Sequence, residues 1–383
     1  MILVGGAANA VSVARSLARD GVAVHMIGGT RPARHSRFIR PIAMPPDAGP
    51  SEWVEFLLGP ASDGLRGAVL LAGSDEGLEL LATRRAELSE RFLLDDSDAR
   101  AQLCMLDKLC TYEAAISAGV PTPKFWRLGS TAQLDAVRAE LVYPLMVKPR
   151  LSHVFHAKFG QKYFLTDSFE QVHAGVRAAS DAGVDVLLME MIPGPDDRLC
   201  SYYTYLDEHG QPMFHFTKRI IRRYPVNMGL ATYHVTAHIP ELQPLANALF
   251  QHVGLRGLAN AEFKLDVRDH TLKLIECNAR FTAANKLLSV VGFDLGRWVY
   301  YRIIGRPLPA PRDYPSGVHL WSPVRDVGAY LQLRQRGELS TGAWLASLLH
   351  RQSFDWLDWH DPVPSLVYHW QLAKTIIRTL LRR

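Results

Sequence analysis

The chain has 383 residues, 48% of them hydrophobic and 21% charged, with 43 Lys and Arg against 38 Asp and Glu. That profile fits a soluble globular protein with room for two or three domains and excludes a disordered chain. A net charge of +5, dispersed along the sequence, does not argue for a nucleic-acid partner, and no apolar run reaches the length needed to span a bilayer. The N-terminus, MILVGGAANA, lacks a basic segment ahead of its apolar run, so no signal peptide is read and a cytoplasmic location is expected. The cysteines Cys104, Cys110, Cys200 and Cys277 form no C-x-x-C pair and are expected as reduced thiols rather than a disulfide framework or a zinc site.

Residues 1 to about 105 alternate strand and helix. Ile2 to Val4 reads as a strand, Asn9 to Asp20 as a helix, Val22 to Ile27 and Ala68 to Leu71 as further strands, and Glu76 to Leu88 as a helix. The order predicts a small parallel α/β domain. Gly5-Gly6 lacks the third glycine and the acidic residue of a dinucleotide fingerprint, which argues against NAD. Ser74 and Asp75 stand at a strand end, where ligands collect, but either one also serves as a helix cap. Asp107-Lys108 opens a helix closed by Gly119, and V-P-T-P follows.

Tyr143 to Lys148 is an apolar strand ending in a lysine, which is costly to bury without an anionic partner. The stretch Arg150 to Gly160 reads as a loop whose His153 and His156 are solvated or phosphate-facing, with no third ligand to make a metal site. Gln161 to Phe164 resumes a strand, carrying Lys162. Val186 to Met191 is another strand, running into Glu190-Met191-Ile192-Pro193-Gly194. Ser201 to Leu206 and Met213 to Ile221 read as a hairpin, continuing into the basic run Lys218 to Arg223. Alternation puts Lys218, Ile220 and Arg222 on one face of that strand. A helix from about Glu241 to Val253 follows.

Arg256 to Arg280 reads as two strands joined by a turn. Ala259, Ala261, Phe263, Leu265 and Val267 alternate with Asn260, Glu262, Lys264 and Asp266; in the second strand Leu272, Leu274, Glu276 and Asn278 share a face. A three-residue turn, Arg268 to His270, sets Glu262 opposite Glu276; two or four residues would send the carboxylates to opposite faces. Facing carboxylates destabilise a ladder. A cation between them removes that penalty, and Asn278 adds a third oxygen, a donor set suited to magnesium.

Glu262 followed by Glu276-Cys277-Asn278-Ala279-Arg280 resembles the metal-binding end of the ATP-grasp superfamily, of the carboxylate–amine/thiol ligase type. The D-K helix with G-V-P-T-P, the Lys148 strand and the Glu190 segment match in order, covering residues 1 to 306. The resemblance implies an α/β (α+β) ATP-grasp fold. Its parts would be a parallel domain at 1–105, grasp subdomains at 106–188 and 189–306, and a mostly helical extension at 307–383. It implies ATP and magnesium, with manganese as the alternative ion, and Lys108, Lys148 and Lys162 on the phosphates. Glu190, Met191, Ile192 and Pro193 would border the adenine, with Asp197 (or Asp196) on the ribose. Glu262, Glu276 and Asn278 would hold the metal, while Arg280, Lys148 and Arg222 would serve the reaction.

The implied chemistry is activation of a carboxylate as an acyl phosphate, with ADP as product, followed by displacement by an amine or thiol. Its substrates are then small molecules. A kinase, a bicarbonate-activating carboxylase and a non-catalytic nucleotide-binding subunit of a membrane-associated assembly are the competing readings. The oligomeric state is left open, a dimer included. Ser365 to Arg383 carries Leu366, Trp370, Ala373, Ile377 and Leu380 at helical spacing with basic residues and no acid. It is expected to dock on the protein, with peripheral membrane contact through 365–383 as the alternative.

Overall fold

The computed structural model describes all residues except 46, 129–131, 311–312 and 382–383, and no side chain at 132 or 375–381. Among the described residues the strands form three sheets. The first joins β1 (Ile2–Val4), β2 (Val24–Ile27), β3 (Ile39–Pro41) and β4 (Leu70–Ala72) in the order β3-β2-β1-β4, with every pairing parallel. Helices cover such a sheet on both faces, which is why β1 is an unbroken apolar run with every residue buried. The loops after β1 and β4 lie against each other: a Cβ on Gly73 would come 2.6 Å from the Gly5 carbonyl oxygen, and Gly5 itself has φ +73°. The glycines of the first turn therefore serve loop-to-loop approach.

The second sheet, antiparallel, contains β5 (Phe125–Arg127), β6 (Leu145–Pro149), β7 (Phe164–Thr166) and β8 (Val186–Glu190) in the order β5-β8-β6-β7. The helix Phe169–Asp181 covers it with Val172 and Val176. The stretch expected as a loop, 150–160, is instead mostly the helix Ser152–Phe159, ended by Gly160 in the left-handed conformation. Phe155 and Phe159, four apart on one helical face, pack ring to ring at 4.5 Å and against Phe164. That aromatic pair holds as a helix a segment whose intervening residues are polar.

The third sheet has seven strands: β9 (Leu199–Leu206), β10 (Phe216–Tyr224), β11 (Leu230–Thr236), β12 (Gly257–Leu265), β13 (Leu272–Asn278), β14 (His319–Trp321) and β15 (Gln352–Phe354). Their order is β13-β12-β9-β10-β11-β14-β15. The extension is mostly helical, as expected, yet it also supplies β14 and β15 to this sheet. After the hairpin the chain forms two helices, Asn285–Val290 and Leu295–Ile303, separated at Gly292 (φ +98°). The last helix, Val363–Leu381, packs Tyr368 on Trp356 at 5.0 Å, while Leu366 and Trp370 stay exposed. Of the predicted stripe, Leu366 and Trp370 are exposed and Ala373 is half-buried, while the side chains of Ile377 and Leu380 lie outside the described residues; no helix of the described residues is long and apolar enough to cross a membrane.

The expectation of four reduced cysteines is corrected. Cys104, in the helix Ala99–Leu106, and Cys110, in the helix Lys108–Ser117, form a disulfide with Cα atoms 5.2 Å apart. The chain breaks between these helices at Asp107, whose carboxylate caps the second by accepting from the N–H groups of Leu109 and Cys110. That sharp corner brings the two thiols together. Cys200 and Cys277 are free and buried.

Candidate active site

The β12–β13 hairpin does set Glu262 opposite Glu276, by a route other than the expected one. From Leu265↔Leu272 to Phe263↔Leu274 the register matches a four-residue turn, which alone would part the carboxylates. A bulge at Ile275 shifts the ladder by one residue, so that Glu262 meets Glu276 and Asn260 meets Asn278. Leu272 and Leu274 consequently face the core with Phe263, and Glu276 and Asn278 face the other way, a split within a strand expected to be uniform. The bulge also frees the Ile275 carbonyl from the ladder. It accepts from the Tyr112 hydroxyl at 2.6 Å and from Lys148 Nζ at 3.3 Å.

The carboxylates begin a polar row across three further strands, Glu276–Glu262–Ser201–Lys218–Thr236. Burial and the neighbouring Glu276 push the Glu262 carboxyl up, against the pull of Lys218. Burial acts the same way on Glu276, but Lys108, Lys162 and Lys148 outweigh it and hold that carboxyl below its usual range. The two half-buried carboxylates face each other with opposite shifts, and a divalent cation between them would favour the charged form of both. The Asn278 amide donates to Asn260 Oδ1 at 3.1 Å, and Asn260 donates to the Tyr202 carbonyl at 3.0 Å. Asn278 thereby has its oxygen as the end left for a cation. The donor set, two carboxylates and an amide oxygen, fits a hard ion such as magnesium.

Beside this row lies a cleft between the second and third sheets. Met146, Met189, Met191, Ile192 and Leu199 line one part of it, and Lys108, Lys148, Lys162, Arg223 and Lys264 bring positive charge. An apolar slot leading into a cationic end matches a nucleotide, base first and phosphates inward. Lys148 donates to Tyr112 at 2.9 Å, and burial with Lys108 nearby brings it down to about 7. Lys108 Nζ donates to Ser152 at 2.5 Å. Lys264 donates to the carbonyls of Ile192 (2.9 Å) and Gly194 (2.7 Å), fixing the segment after β8. Sequence reading passed over Lys264 and Arg223; a lysine on the same strand face as Glu262 was the available signal.

Other predicted residues sit at the margins. Glu190 accepts from the Lys124 N–H at 2.8 Å and from Arg268 at 3.1 Å, a brace at the end of β8. Pro193 and Asp197 are absent from the cleft lining, and Asp197 lies exposed beside Arg198. Asp196 is buried and accepts from Arg223 at 2.8 Å. Arg222 is the clear correction. It is buried in an ion pair with Asp326 at 2.8 Å and lies over the Tyr233 ring, on the sheet face turned away from Lys218. Irregularities at Ile221 in β10 and Thr232 in β11 break the alternation there, turning Arg222 away and giving the cleft Arg223 instead.

At the end of β13, Arg280 donates to Asp75 at 2.5 Å. Ser74 caps the helix Asp75–Thr83, its hydroxyl accepting from the Gly77 N–H, so of the two candidate residues one caps and the other reaches the site. A second, narrow cavity with room for one ammonium-sized group is lined by Asp75, Lys108, Ser152, His153 and Glu276 among others and shares Lys108 and Glu276 with the cleft.

A two-carboxylate hairpin beside a lysine-lined cleft between an antiparallel sheet and a largely antiparallel one, behind a parallel α/β domain, defines the ATP-grasp fold, and this chain has it. Among curated proteins, D-aspartate ligase of Enterococcus faecium is 24% identical over 293 residues, 72% of this chain and 69% of that protein. N5-carboxyaminoimidazole synthetase from Staphylococcus aureus superposes with TM-score 0.61 at 16% identity, over 82% of this chain and 79% of that one. Biotin carboxylase from Campylobacter jejuni, in a β,γ-ATP complex, gives 0.64 at 13% identity, over 83% and 74%. L-amino acid ligase from Bacillus licheniformis gives 0.60 at 15% identity, over 79% and 73%. No family model matches the chain.

Proposed function

We propose that the chain is an ATP-dependent ligase that activates a small carboxylate as an acyl phosphate and joins it to an amine. The observation that carries this reading is the row Glu276–Glu262–Lys218 at the cationic end of the cleft. A protein that only bound nucleotide would have little call for two half-buried carboxylates facing each other there. The likeness to D-aspartate ligase supports the same class.

In this reading Met191 and Ile192 border the adenine, and Lys148, Lys162, Lys108 and Arg223 hold the phosphates. Glu262, Glu276 and Asn278 would hold magnesium, which when bound offsets charge on the β- and γ-phosphates. The acceptor carboxylate attacks the γ-phosphoryl group, giving acyl phosphate and ADP. Arg280, fixed by Asp75, faces the charge that develops on the acyl phosphate. The nitrogen of the amine then attacks the acyl carbon and phosphate leaves.

Phosphate release from ATP with magnesium, screened against pooled amino acids and sugar acids, tests this. Release is expected to need both an acid and an amine, to yield ADP, and to be lost in Glu276→Gln. Formation of AMP and pyrophosphate, or tight ATP binding with no release under any pool, overturns it.

A further inference from the structure

The amine of a ligase is an ammonium ion at neutral pH and has no lone pair to attack with until a base removes a proton. None of the groups assigned above does this: the lysines are engaged with the phosphates, Lys148 protonated there by nucleotide binding, Arg280 is a cation, and the carboxylates are taken by the metal and by Arg280. His153 is differently placed. It stands at the start of the helix Ser152–Phe159 and lines the second cavity with Asp75, Lys108 and Glu276. Its side chain is 11% exposed, and its Nε2 lies 2.8 Å from Glu79 Oε2. Glu79 belongs to the helix Asp75–Thr83, which also carries Asp75. A carboxylate on one ring nitrogen fixes the tautomer and leaves the other nitrogen as acceptor.

We propose that His153 is the general base for the incoming amine, oriented by Glu79, and that the cavity beside it receives that amine. The inference rests on the ligase reading above. The ammonium gives one proton to the free ring nitrogen of His153, and the nitrogen lone pair forms the C–N bond. The bond from the acyl carbon to the phosphate oxygen breaks, its electron pair leaving on phosphate, which takes the second nitrogen proton. His153 returns its proton to solvent. The charged groups around the ring are Glu79 and Asp75 on one helix, Lys108 at the start of the helix Lys108–Ser117 and Glu276 on β13, with Arg280 behind Asp75. The carboxylates favour a cationic ammonium in this cavity and an imidazolium once the proton has moved.

The test compares two nucleophiles on the full chain with MgATP: pooled amino acids, whose amines are protonated at pH 7, and hydroxylamine, which is largely neutral there and traps acyl phosphate as hydroxamate. In His153→Gln, amino-acid-dependent phosphate release is expected to fall roughly 10²–10⁴-fold while hydroxamate formation stays within about threefold. Raising the pH should restore release in the variant. Glu79→Gln is expected to give a smaller loss with a displaced acid limb of the pH profile. A parallel fall of both reactions, with an unchanged ATP-induced Tm shift showing the variant folded, overturns the proposal, as does no fall in either. If the wild type yields neither hydroxamate nor phosphate, the ligase reading fails and takes this inference with it; wild-type hydroxamate with undiminished release in His153→Gln overturns the inference alone.

Discussion

Lys148 shows how far one side chain's surroundings set its chemistry. Burial, with Lys108 close by, brings it to about 7, although Glu276 and Glu262 pull the other way. The protonated form is the one that phosphate oxygens prefer, so nucleotide binding raises this pKa and takes up a proton wherever the free lysine is neutral. ATP affinity should therefore be highest below pH 7 and weaken above it, with a slope approaching tenfold per pH unit for one linked proton. Calorimetry at pH 8 in two buffers of different ionisation enthalpy is expected to report proton uptake. In Lys148→Met that uptake disappears and affinity falls at all pH values; uptake persisting in the variant would assign the proton to another group.

At the scale of single elements, two strand irregularities decide what reaches the cleft. In β10 the offset at Ile221 separates neighbouring arginines into different roles. Arg222→Met leaves Asp326 buried with no cation and is expected to destabilise the fold by about 3–5 kcal/mol, measured by urea denaturation, without weakening ATP binding in the protein that remains folded. Arg223→Met should do the opposite, weakening ATP with a smaller stability loss. A reversal of these two effects would return Arg222 to the site.

The same irregularities explain what the sequence could and could not disclose. The parallel first sheet, the Lys148 strand and the facing of Glu262 and Glu276 were legible because apolar runs and period-2 alternation are local signals, while Arg280 came only from the family resemblance. A bulge breaks that period from within. The three-residue turn gave the right carboxylate pairing for the wrong reason, since a longer turn and an extra residue at Ile275 cancel. In β10 no such cancellation occurred, and alternation pointed to Arg222 when Arg223 was the residue in the cleft. His153 was read as a loop residue because the helix around it is fixed by Phe155, Phe159 and Phe164, contacts that depend on β7 being in place. Its partner Glu79, 74 residues away, left no mark in the sequence at all.

Across the whole molecule, the site draws on all three sheets and the helices between them. Asp75 and Glu79 come from the helix after β4, Lys148 from β6, and Glu262, Glu276 and Arg280 from the β12–β13 hairpin or just beyond it. A ligand that touches every part stabilises the parts together. MgATP at about 100 times its Kd is expected to add about 2.7 kcal/mol and raise Tm in one cooperative transition. Two resolved transitions, with only the later one shifted, would mean that the first sheet takes no part in nucleotide binding.

The disulfide acquires a meaning from where it lies. Cys104 and Cys110 bracket Asp107 and Lys108, so the bond closes a small loop around one of the cleft lysines, on a corner that Arg150 also holds through Asp107. Breaking it frees the unfolded chain most and leaves the folded corner to Asp107 and Arg150. Linkage then runs in both directions: whatever factor reduction imposes on ATP affinity, saturation with ATP must impose on the thiol–disulfide equilibrium. The nucleotide and the electron pair become ligands of one another, and the chain's nucleotide occupancy would register the redox poise of its surroundings.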